Sequence, residues 1–176
     1  MPFIPADLNG VIIFNPDIFQ DERGYFFESY NEKHFADNGI TAKFVQDNHS
    51  FSKYGVLRGL HYQLSPFEQA KLVRAVSGTI FDVAVDIRKN SPNYGKWVGQ
   101  ILSADNKKQM FIPRGFAHGF LVLSEYAEVA YKCDNLYSPR HNAGIAYDDK
   151  IIAIQWPLKK HEIILSEKDK QNPPLN

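Results

Sequence analysis

The sequence lacks cysteine pairs, a surplus of charge of either sign and long apolar runs. Its 176 residues include a single cysteine, Cys133, which excludes an internal disulfide framework and indicates a cytoplasmic protein. The 20 basic side chains balance the 20 acidic ones. That balance argues against a general nucleic-acid binder, which would carry a basic excess, but it allows a local basic pocket for one phosphate-bearing ligand.

Signals for membrane insertion and export are also missing. No uninterrupted apolar stretch approaches the roughly 20 residues that a membrane-spanning helix needs. Residues 1–10 show no basic start followed by an apolar run, so we expect no signal peptide. The chain shows no repeats or linkers, and its length fits one domain. We therefore predict a single domain over residues 1–176 with no membrane and no nucleic-acid partner.

The dominant pattern that is present is alternation with a period of two. Hydrophobic residues make up 44% and aromatic residues 14% of the chain, which suits a β-fold with an aromatic-lined pocket. In residues 79–88, Phe81, Val83 and Val85 fall on one strand face and Asp82 on the other. Many short strands of this kind, with a turn about every ten residues, predict an all-β jelly roll, a sandwich or barrel, with a few short helices.

Three turn signals suggest hairpins. The dipeptide at 77–78, Ser-Gly, separates predicted strands at 71–76 and 79–88 and has the pattern of a two-residue hairpin turn. We expect two more hairpins, one joining predicted strands 97–103 and 108–112 and one joining 118–124 and 128–137.

Helix signals are weak and local. Residues 31–38 predict one short helix, which ends at Gly39. The segment from Ser166 to Asp169 has the spacing of a capping box and predicts the start of another.

Two histidines lie where strands could line a pocket. His61 stands in a strand-like segment beside Arg58 and Gly59, where it could act as a base, although an isolated histidine is more often a satisfied core or surface residue. His118 shares a strand face with Phe120, so its imidazole is expected to point inward. A buried histidine needs a hydrogen-bond partner, which in a cavity is a carboxylate or a ligand.

Tyr131, Lys71 and Asp169 each have a structural and a chemical interpretation. Tyr131 lies on an apolar strand face, where a buried hydroxyl is more often structural than presented to a substrate. Lys71, with Arg23 and Arg58, could form a cationic lining for a phosphate or an enolate, and the plainer interpretation is a solvated strand end. The structural interpretation of Asp169 is a helix cap, and the chemical interpretation is a carboxylate that orients a histidine.

A metal site is not indicated by the ligand spacing. Jelly rolls with a Pro-x-Gly-x-x-His turn, such as the one that ends at His118, often hold a metal with several histidines. Here only His61 and Glu68 have a spacing that suits further metal ligands beside His118. His34 and His49 are distant in sequence. Two histidines without a third ligand make a weak case for zinc or iron. We therefore predict no metal and no cofactor.

Nearly the whole chain resembles a known family. The matching stretches, which occur in the same order, are residues 21–28, 46–50, 55–63, 71–73, 81–88, 112–120, 123–125, 131–132 and 154–157. Together they are similar to the dTDP-4-dehydrorhamnose 3,5-epimerases of the cupin jelly-roll superfamily. The resemblance implies a cupin-type double-stranded β-helix.

The resemblance also implies an activity. It is that of a homodimeric, metal-independent epimerase in the pathway to dTDP-L-rhamnose, an O-antigen precursor, acting on dTDP-4-dehydro-6-deoxy-D-glucose to give dTDP-4-dehydro-L-rhamnose. By similarity, His61 removes a proton beside the ketone while Asp169 holds its imidazole. Lys71 would stabilise the enolate oxygen, and Tyr131 would return a proton from the opposite face.

The ligand contacts implied by the resemblance form a larger set. His118 would line the sugar site, Arg23, Arg58 and Lys168 would face the diphosphate, and Tyr137 would stack on thymine. The implied nucleotide contacts are Glu28, Gln46, Asp47, Asn48 and Asn142. Many family members carry a glutamate in place of Asn142, and residues 64–70 also vary, so we expect these departures to affect specificity more than proton transfer.

Three alternatives stay open. The first is an enzyme of the same fold that epimerises only one carbon of a related dTDP-4-keto-6-deoxysugar. The second is a non-catalytic nucleotide-sugar-binding protein, for which His61, Lys71, Tyr131 and Asp169 together would be surplus. The third is a metal-dependent cupin oxygenase or isomerase, which a tightly held iron or zinc would reveal.

Overall fold

The computed structural model describes residues 2–175 and confirms the predicted all-β class. Within that range, strands dominate, accompanied by the short helix α1 (Glu32–Asp37) and three 3-10 helices, Pro139–His141, Lys160–Glu162 and Asp169–Gln171. The strands are β1 (Phe3–Pro5), β2 (Ile12–Phe14), β3 (Phe19–Asp21), β4 (Gly24–Phe26), β5 (Gln46–Lys53), β6 (Leu57–Gln63), β7 (Lys71–Ser77), β8 (Thr79–Asp86), β9 (Trp97–Ser103), β10 (Gln109–Ile112), β11 (Phe116–Val122), β12 (Tyr126–Cys133) and β13 (Asn142–Gly144).

Two large antiparallel sheets enclose the core. The first has six strands in the order β1-β2-β10-β7-β12-β5, and the second has five in the order β13-β6-β11-β8-β9. Side chains from both sheets meet in one hydrophobic cluster, as expected for a sandwich closed around its interior. The predicted jelly roll is therefore confirmed. The hairpin of β3 and β4 forms a separate two-stranded sheet.

The three predicted hairpins are wrong, although the strands themselves are found. β7 pairs with β10 and β12 in the six-stranded sheet, whereas β8 pairs with β11 and β9 in the five-stranded sheet. The connections from β9 to β10 and from β11 to β12 also cross between sheets. Crossing at nearly every turn is what a jelly roll requires, because each strand must bury its inner face against a strand of the opposite sheet.

Gly78 shows why a short turn made a corner rather than a hairpin. Its φ of +72° lies in the left-handed region, and an added Cβ would clash with the carbonyl oxygen of Tyr126 at the start of β12. The backbone therefore turns sharply against a neighbouring strand, which only glycine permits without strain. Ser77-Gly78 has the composition of a hairpin turn, and composition alone does not distinguish the two geometries.

Strand β8 buries both of its faces. Ala84 belongs to the cluster between the two sheets, whereas Val83 and Val85 pack on the outer side of the five-stranded sheet against Ile152 and Leu175 of the C-terminal segment. Full burial of a valine side chain contributes roughly 1.5–3 kcal/mol. The valines on the outer face of β8 supply this apolar burial. The inner face carries a polar residue, Asp82, beside Ala84.

Both predicted helical segments are helical, and both are short. Asn31 caps α1, with its side chain accepting a hydrogen bond from the backbone N–H of His34, and Phe35 buries the inner face of the helix. The second segment forms the 3-10 helix Asp169–Gln171, where Ser166 Oγ accepts from the backbone N–H of Asp169 at 3.1 Å. Among residues 2–175, no helix has the length and apolar character of a membrane-spanning helix.

Candidate active site

His61 points into the space between the sheets because of a local irregularity in β6. The register between β6 and β11 shifts next to the His118–His61 pair, and such bulges re-aim side chains. Gly59 has a φ of +146°, and a Cβ on it would lie 2.6 Å from Cα of Gly119 on β11. The close approach of these two strands therefore depends on two facing glycines.

Asp169 fixes the orientation of His61. Its Oδ1 lies 2.6 Å from Nε2 of His61, and the aspartate residue is only 5% exposed. Burial raises the pKa of Asp169, but hydrogen bonds from His61 and from the backbone N–H of Gly59 outweigh it and hold the pKa below its ordinary value. An ionised Asp169 accepts a hydrogen bond donated by Nε2–H, which leaves Nδ1 of His61 as the nitrogen that can act as a base.

Tyr131 and Lys71 reach the same space from the opposite sheet. They lie on the paired strands β12 and β7, where Tyr131 is opposite Val73 and Lys71 is opposite Cys133. Burial raises the pKa of Tyr131, so that its phenol stays protonated. Burial lowers the pKa of Lys71, while Cys133 and Asp82 act in the other direction.

One cavity collects most of the predicted site residues. It measures about 370 Å³ and opens between the sheets. The predicted residues in its wall are His61, Lys71, Tyr131, Arg58, His118, Gln46, Asn48, Tyr137 and Asn142. The other wall residues are Ser50, Tyr62, Gln63, Gln69 and Phe120. The wall is cationic and aromatic and contains no carboxylate, because Asp169 and Asp82 stand behind the two histidines.

Four predicted ligand contacts lie outside this cavity. Arg23 is exposed on the β3–β4 hairpin and pairs with Asp21. Glu28 accepts a hydrogen bond from Asn31 at 3.1 Å. Asp47 faces outward because of strand alternation and pairs with Lys132 at 3.0 Å. Lys168 precedes the last 3-10 helix and is exposed. A single chain therefore does not bring Arg23, Glu28, Asp47 or Lys168 to the cavity wall.

Gln63 organises the rim of the cavity and was not predicted. Its side chain is 5% exposed. Its Nε2 donates to the carbonyl oxygens of Phe67 at 2.6 Å and Leu136 at 3.2 Å, and its Oε1 accepts from the N–H of Ser138 at 2.6 Å. These bonds tie the loop that contains Phe67 to the loop that contains Tyr137. A glutamine at a strand end gives no sequence signal of such a role.

His118 also pairs with a carboxylate. Its Nε2 lies 2.7 Å from Oδ1 of Asp82 on the neighbouring strand β8. A carboxylate was one of the two partners expected for this histidine. Burial holds the pKa of His118 below its ordinary value, although the attraction of Asp82 acts against this. The cavity is therefore served by two histidine–aspartate pairs.

The histidines do not group into a metal centre. In the part of the chain that the structure describes, no cluster of three or more His, Cys, Asp or Glu side chains is arranged to hold a metal ion. Each cavity histidine instead bonds to one aspartate, at 2.6 Å and 2.7 Å. The prediction that the reaction needs no metal is tested by measuring activity with a chelator.

The fold and the cavity define a jelly-roll enzyme with a histidine and a tyrosine on opposite walls. Comparison with known families then narrows the class. The model of the family described as dTDP-4-dehydrorhamnose 3,5-epimerase matches residues 5–176, and the chain belongs to this family.

Relatives of known name agree with this membership. A dTDP-4-dehydrorhamnose 3,5-epimerase of Shigella flexneri is 56% identical over 170 residues, which cover 96% of this chain and 93% of that protein. A Legionella pneumophila 3,5-epimerase, solved in complex with dTDP-4-keto-L-rhamnose, is 50% identical with a TM-score of 0.94, covering 98% of this chain and 92% of that one. A 3'-monoepimerase of Streptomyces bikiniensis, solved with dTDP-quinovose, is 31% identical with a TM-score of 0.91, covering 97% and 86%.

Proposed function

We propose that this chain is a dTDP-4-dehydrorhamnose 3,5-epimerase that converts dTDP-4-dehydro-6-deoxy-D-glucose to dTDP-4-dehydro-L-rhamnose. The observation that carries the proposal is that His61 and Tyr131 line one cavity from opposite sheets. Inversion at a carbon requires proton removal from one face and return to the other. A base and an acid on facing walls provide both steps, whereas a single residue would tend to return the proton to the face it left.

The first step in this proposal is proton abstraction by His61. The hydrogens on the third and fifth sugar carbons are weakly acidic because both carbons flank the ketone at the fourth. Nδ1 of His61 takes the proton, and the imidazolium that forms is stabilised by the carboxylate of Asp169 at 2.6 Å. The carbon's electron pair moves onto the ketone oxygen and creates an enolate.

Lys71 and Tyr131 complete the proposed reaction. The ammonium group of Lys71 stabilises the enolate oxygen at the place where its charge develops, inside the cavity between the sheets. Tyr131 then donates its phenolic proton to the opposite face of the same carbon. Because burial keeps the phenol protonated, the donor is ready before the substrate binds.

The remaining cavity residues are of types that bind a nucleoside diphosphate. Arg58 is held by a hydrogen bond from its Nε to Ser52 Oγ at 2.9 Å and by one from its terminal nitrogen to the carbonyl oxygen of Phe51 at 3.2 Å. A guanidinium fixed in this way matches the paired oxygens of a phosphate. We propose that Tyr137 stacks on thymine and that Gln46, Asn48 and Asn142 contact the nucleotide.

The decisive experiment is isotope exchange in heavy water. The protein is incubated with dTDP-4-dehydro-6-deoxy-D-glucose, with and without a chelator, and deuterium is followed at the third and fifth sugar carbons by proton NMR. Exchange at both carbons that the chelator does not affect is the expected result. Loss of exchange with the chelator would indicate a metal-dependent enzyme. Binding of the nucleotide sugar without exchange would indicate a binding protein and would overturn the proposal.

A 3'-monoepimerase activity is the second candidate. It is favoured by the Streptomyces bikiniensis 3'-monoepimerase, which shares the fold at a TM-score of 0.91. The same heavy-water experiment separates the two, because a mono-epimerase would place deuterium at one carbon only. The higher identity to relatives named as 3,5-epimerases supports the double reaction.

We also propose a homodimer. The β3–β4 hairpin pairs with no other strand of the described chain, and its aromatic side chains are exposed, with Phe19 at 65%, Tyr25 at 58% and Phe26 at 69%. An exposed aromatic group of this kind suits burial against a second copy. Sedimentation velocity measures the assembly directly, and a monomer at micromolar concentration would overturn the proposed homodimer.

The cytoplasmic location stays a prediction that cell fractionation tests.

A further inference from the structure

The pair formed by His118 and Asp82 is buried more deeply than the pair formed by His61 and Asp169. His118 is 6% exposed and Asp82 is 0% exposed, and Nε2 of the histidine lies 2.7 Å from Oδ1 of the aspartate. Both residues lie on adjacent strands of the five-stranded sheet. The carboxylate is behind the imidazole and does not line the cavity, whereas the imidazole does.

The second carboxylate oxygen of Asp82 is an anomaly. Oδ2 is buried and has no hydrogen-bond partner among the described residues. Burying a carboxylate with an unsatisfied oxygen is costly, and a valine or leucine would fill the inner face of β8 without that cost. Lys71 attracts the charge of Asp82 from the facing sheet, but no direct bond joins them in residues 2–175. The carboxylate therefore has a use that packing does not explain.

The geometry restricts which nitrogen of His118 can carry the proton. Nε2 faces the Asp82 carboxylate, so an ionised Asp82 requires hydrogen on Nε2. Nδ1 has no protein partner in the described chain, since the only bond of the ring is the one to Asp82. Burial keeps the imidazole neutral by lowering its pKa. A neutral ring with hydrogen on Nε2 offers a bare lone pair at Nδ1.

We propose that Asp82 is a positioning residue that locks His118 with its proton on Nε2, so that Nδ1 accepts a hydrogen bond from a sugar hydroxyl beside the reacting carbons. This inference rests on the proposed function, because it assigns the ligand group as a hydroxyl of the keto-sugar. It separates the roles of two neighbouring groups. Lys71, whose ammonium form can only donate, is left to face the ketone oxygen, and His118 accepts a hydrogen bond from the adjacent hydroxyl.

Nitrogen-15 NMR of the histidine side chains tests the tautomer without any substrate. In the wild-type protein we expect His118 to show a protonated Nε2 and an unprotonated Nδ1 at neutral pH. Asp82→Asn retains an oxygen that can accept from Nε2 and should preserve this state, whereas Asp82→Ala should free the ring and mix the tautomers. Asp86→Asn, which removes a second buried carboxylate from the same strand, is the matched control and should leave the His118 signals unchanged.

A proton on Nδ1 of wild-type His118, or an imidazolium, would overturn the proposal. So would a His118 signal that does not change in Asp82→Ala. Since no substrate enters this measurement, it gives an answer even if the epimerase assignment itself fails in heavy water.

Kinetics test whether Asp82 acts through His118. In Asp82→Ala, kcat/KM should fall roughly 10- to 100-fold, by analogy with the loss of a carboxylate that orients a metal-binding histidine, and Asp82→Asn should recover part of the loss. In a His118→Asn background, adding Asp82→Ala should change kcat/KM by less than about twofold, because the residue through which it acts is gone. Unchanged activity in the single variant, or a full further loss in the double variant, would contradict the inference.

Discussion

At the scale of single residues, several polar groups of the cavity wall are held by partners that stand behind them. His61 has Asp169 at 2.6 Å, and Arg58 has Ser52 at 2.9 Å. These partners fix the orientation of the groups that face the ligand, which removes the entropy cost of ordering them at the moment of reaction. We therefore expect small changes of side-chain chemistry at these positions to affect turnover more than they affect folding.

Replacing His61 by asparagine tests the base. Asparagine is polar and smaller than histidine but has no basic nitrogen, so the fold is expected to persist, while deuterium exchange at both carbons should fall roughly 10²- to 10⁴-fold. Proton NMR in heavy water measures both rates. His161→Asn is the matched control, because His161 is exposed on a distant 3-10 helix. Exchange at the wild-type rate in His61→Asn would eliminate this residue as the base.

Tyr131→Phe removes the proposed proton donor and keeps the aromatic ring. We expect product formation to fall roughly 10²- to 10⁴-fold, while affinity for dTDP measured by calorimetry changes little. Tyr126→Phe on the same strand is the control, since that ring is exposed on the outer side and stacks on Phe51. If Tyr131→Phe forms product as fast as the wild type, the acid is another group.

The depressed pKa of Asp169 has a consequence for stability against acid. A carboxyl whose pKa is lower in the folded than in the unfolded state contributes stability above the unfolded value, about 4, and loses it as the pH falls through the folded value. The difference in unfolding free energy between the wild type and Asp169→Asn should therefore be largest above about pH 5 and shrink below about pH 4. Urea titrations across this range measure it. Asp105→Asn, in an exposed turn, is the control, and an equal difference at every pH would refute the assignment.

At the scale of elements, strand alternation was predictable and strand pairing was not. Alternation placed Tyr131 and Val129 on one face, and both pack toward the cluster between the sheets. It also gave the inward direction of His118. Pairing depends on which sheet a strand joins after a turn, and this is decided by contacts between residues far apart in sequence, such as Gly59 against Gly119. Local signals contain no information about such contacts.

The rim loops show the same limit for the site. Gln63 holds the loop that contains Phe67 and the loop that contains Leu136 and Ser138 through three hydrogen bonds of its side chain. The sequence offered an ordinary polar residue at the end of a strand. Its importance follows only from the three-dimensional position of two loops about seventy residues apart in the chain.

Gln63→Leu should loosen this rim. Loss of the three hydrogen bonds leaves backbone groups unsatisfied, and each group that stays buried lowers the stability of the fold by about 1–3 kcal/mol. It also frees the loop that contains Tyr137. We expect KM for the nucleotide sugar to rise several-fold more than kcat falls, as measured by steady-state kinetics. Gln155→Leu, which removes an exposed amide bonded to nearby Ala153, is the control, and an unchanged KM in Gln63→Leu would contradict the proposed role of Gln63.

At the scale of the whole molecule, charge is distributed unevenly although the net charge is +0. The cavity wall contains Arg58 and Lys71 and no carboxylate, so an anionic ligand meets a positive field inside a neutral protein. Composition showed the overall neutrality and allowed a local basic pocket. It could not locate that pocket, because Arg58 and Lys71 come from different sheets and meet only when the sandwich closes.

We propose that the β3–β4 hairpin links assembly to ligand binding. Arg23 and Glu28 are ligand contacts by family resemblance, yet in one chain they lie outside the cavity, on or just after an exposed hairpin. If a second copy receives this hairpin, Phe26→Ser should shift the sedimentation coefficient toward the monomer and also weaken dTDP binding by calorimetry. Ile151→Ser, which changes a side chain that is 70% exposed on the C-terminal segment, should change neither. A monomeric Phe26→Ser variant that binds dTDP as tightly as the wild type would show that the hairpin serves assembly alone, because a site completed by the partner cannot keep its affinity once the partner is gone.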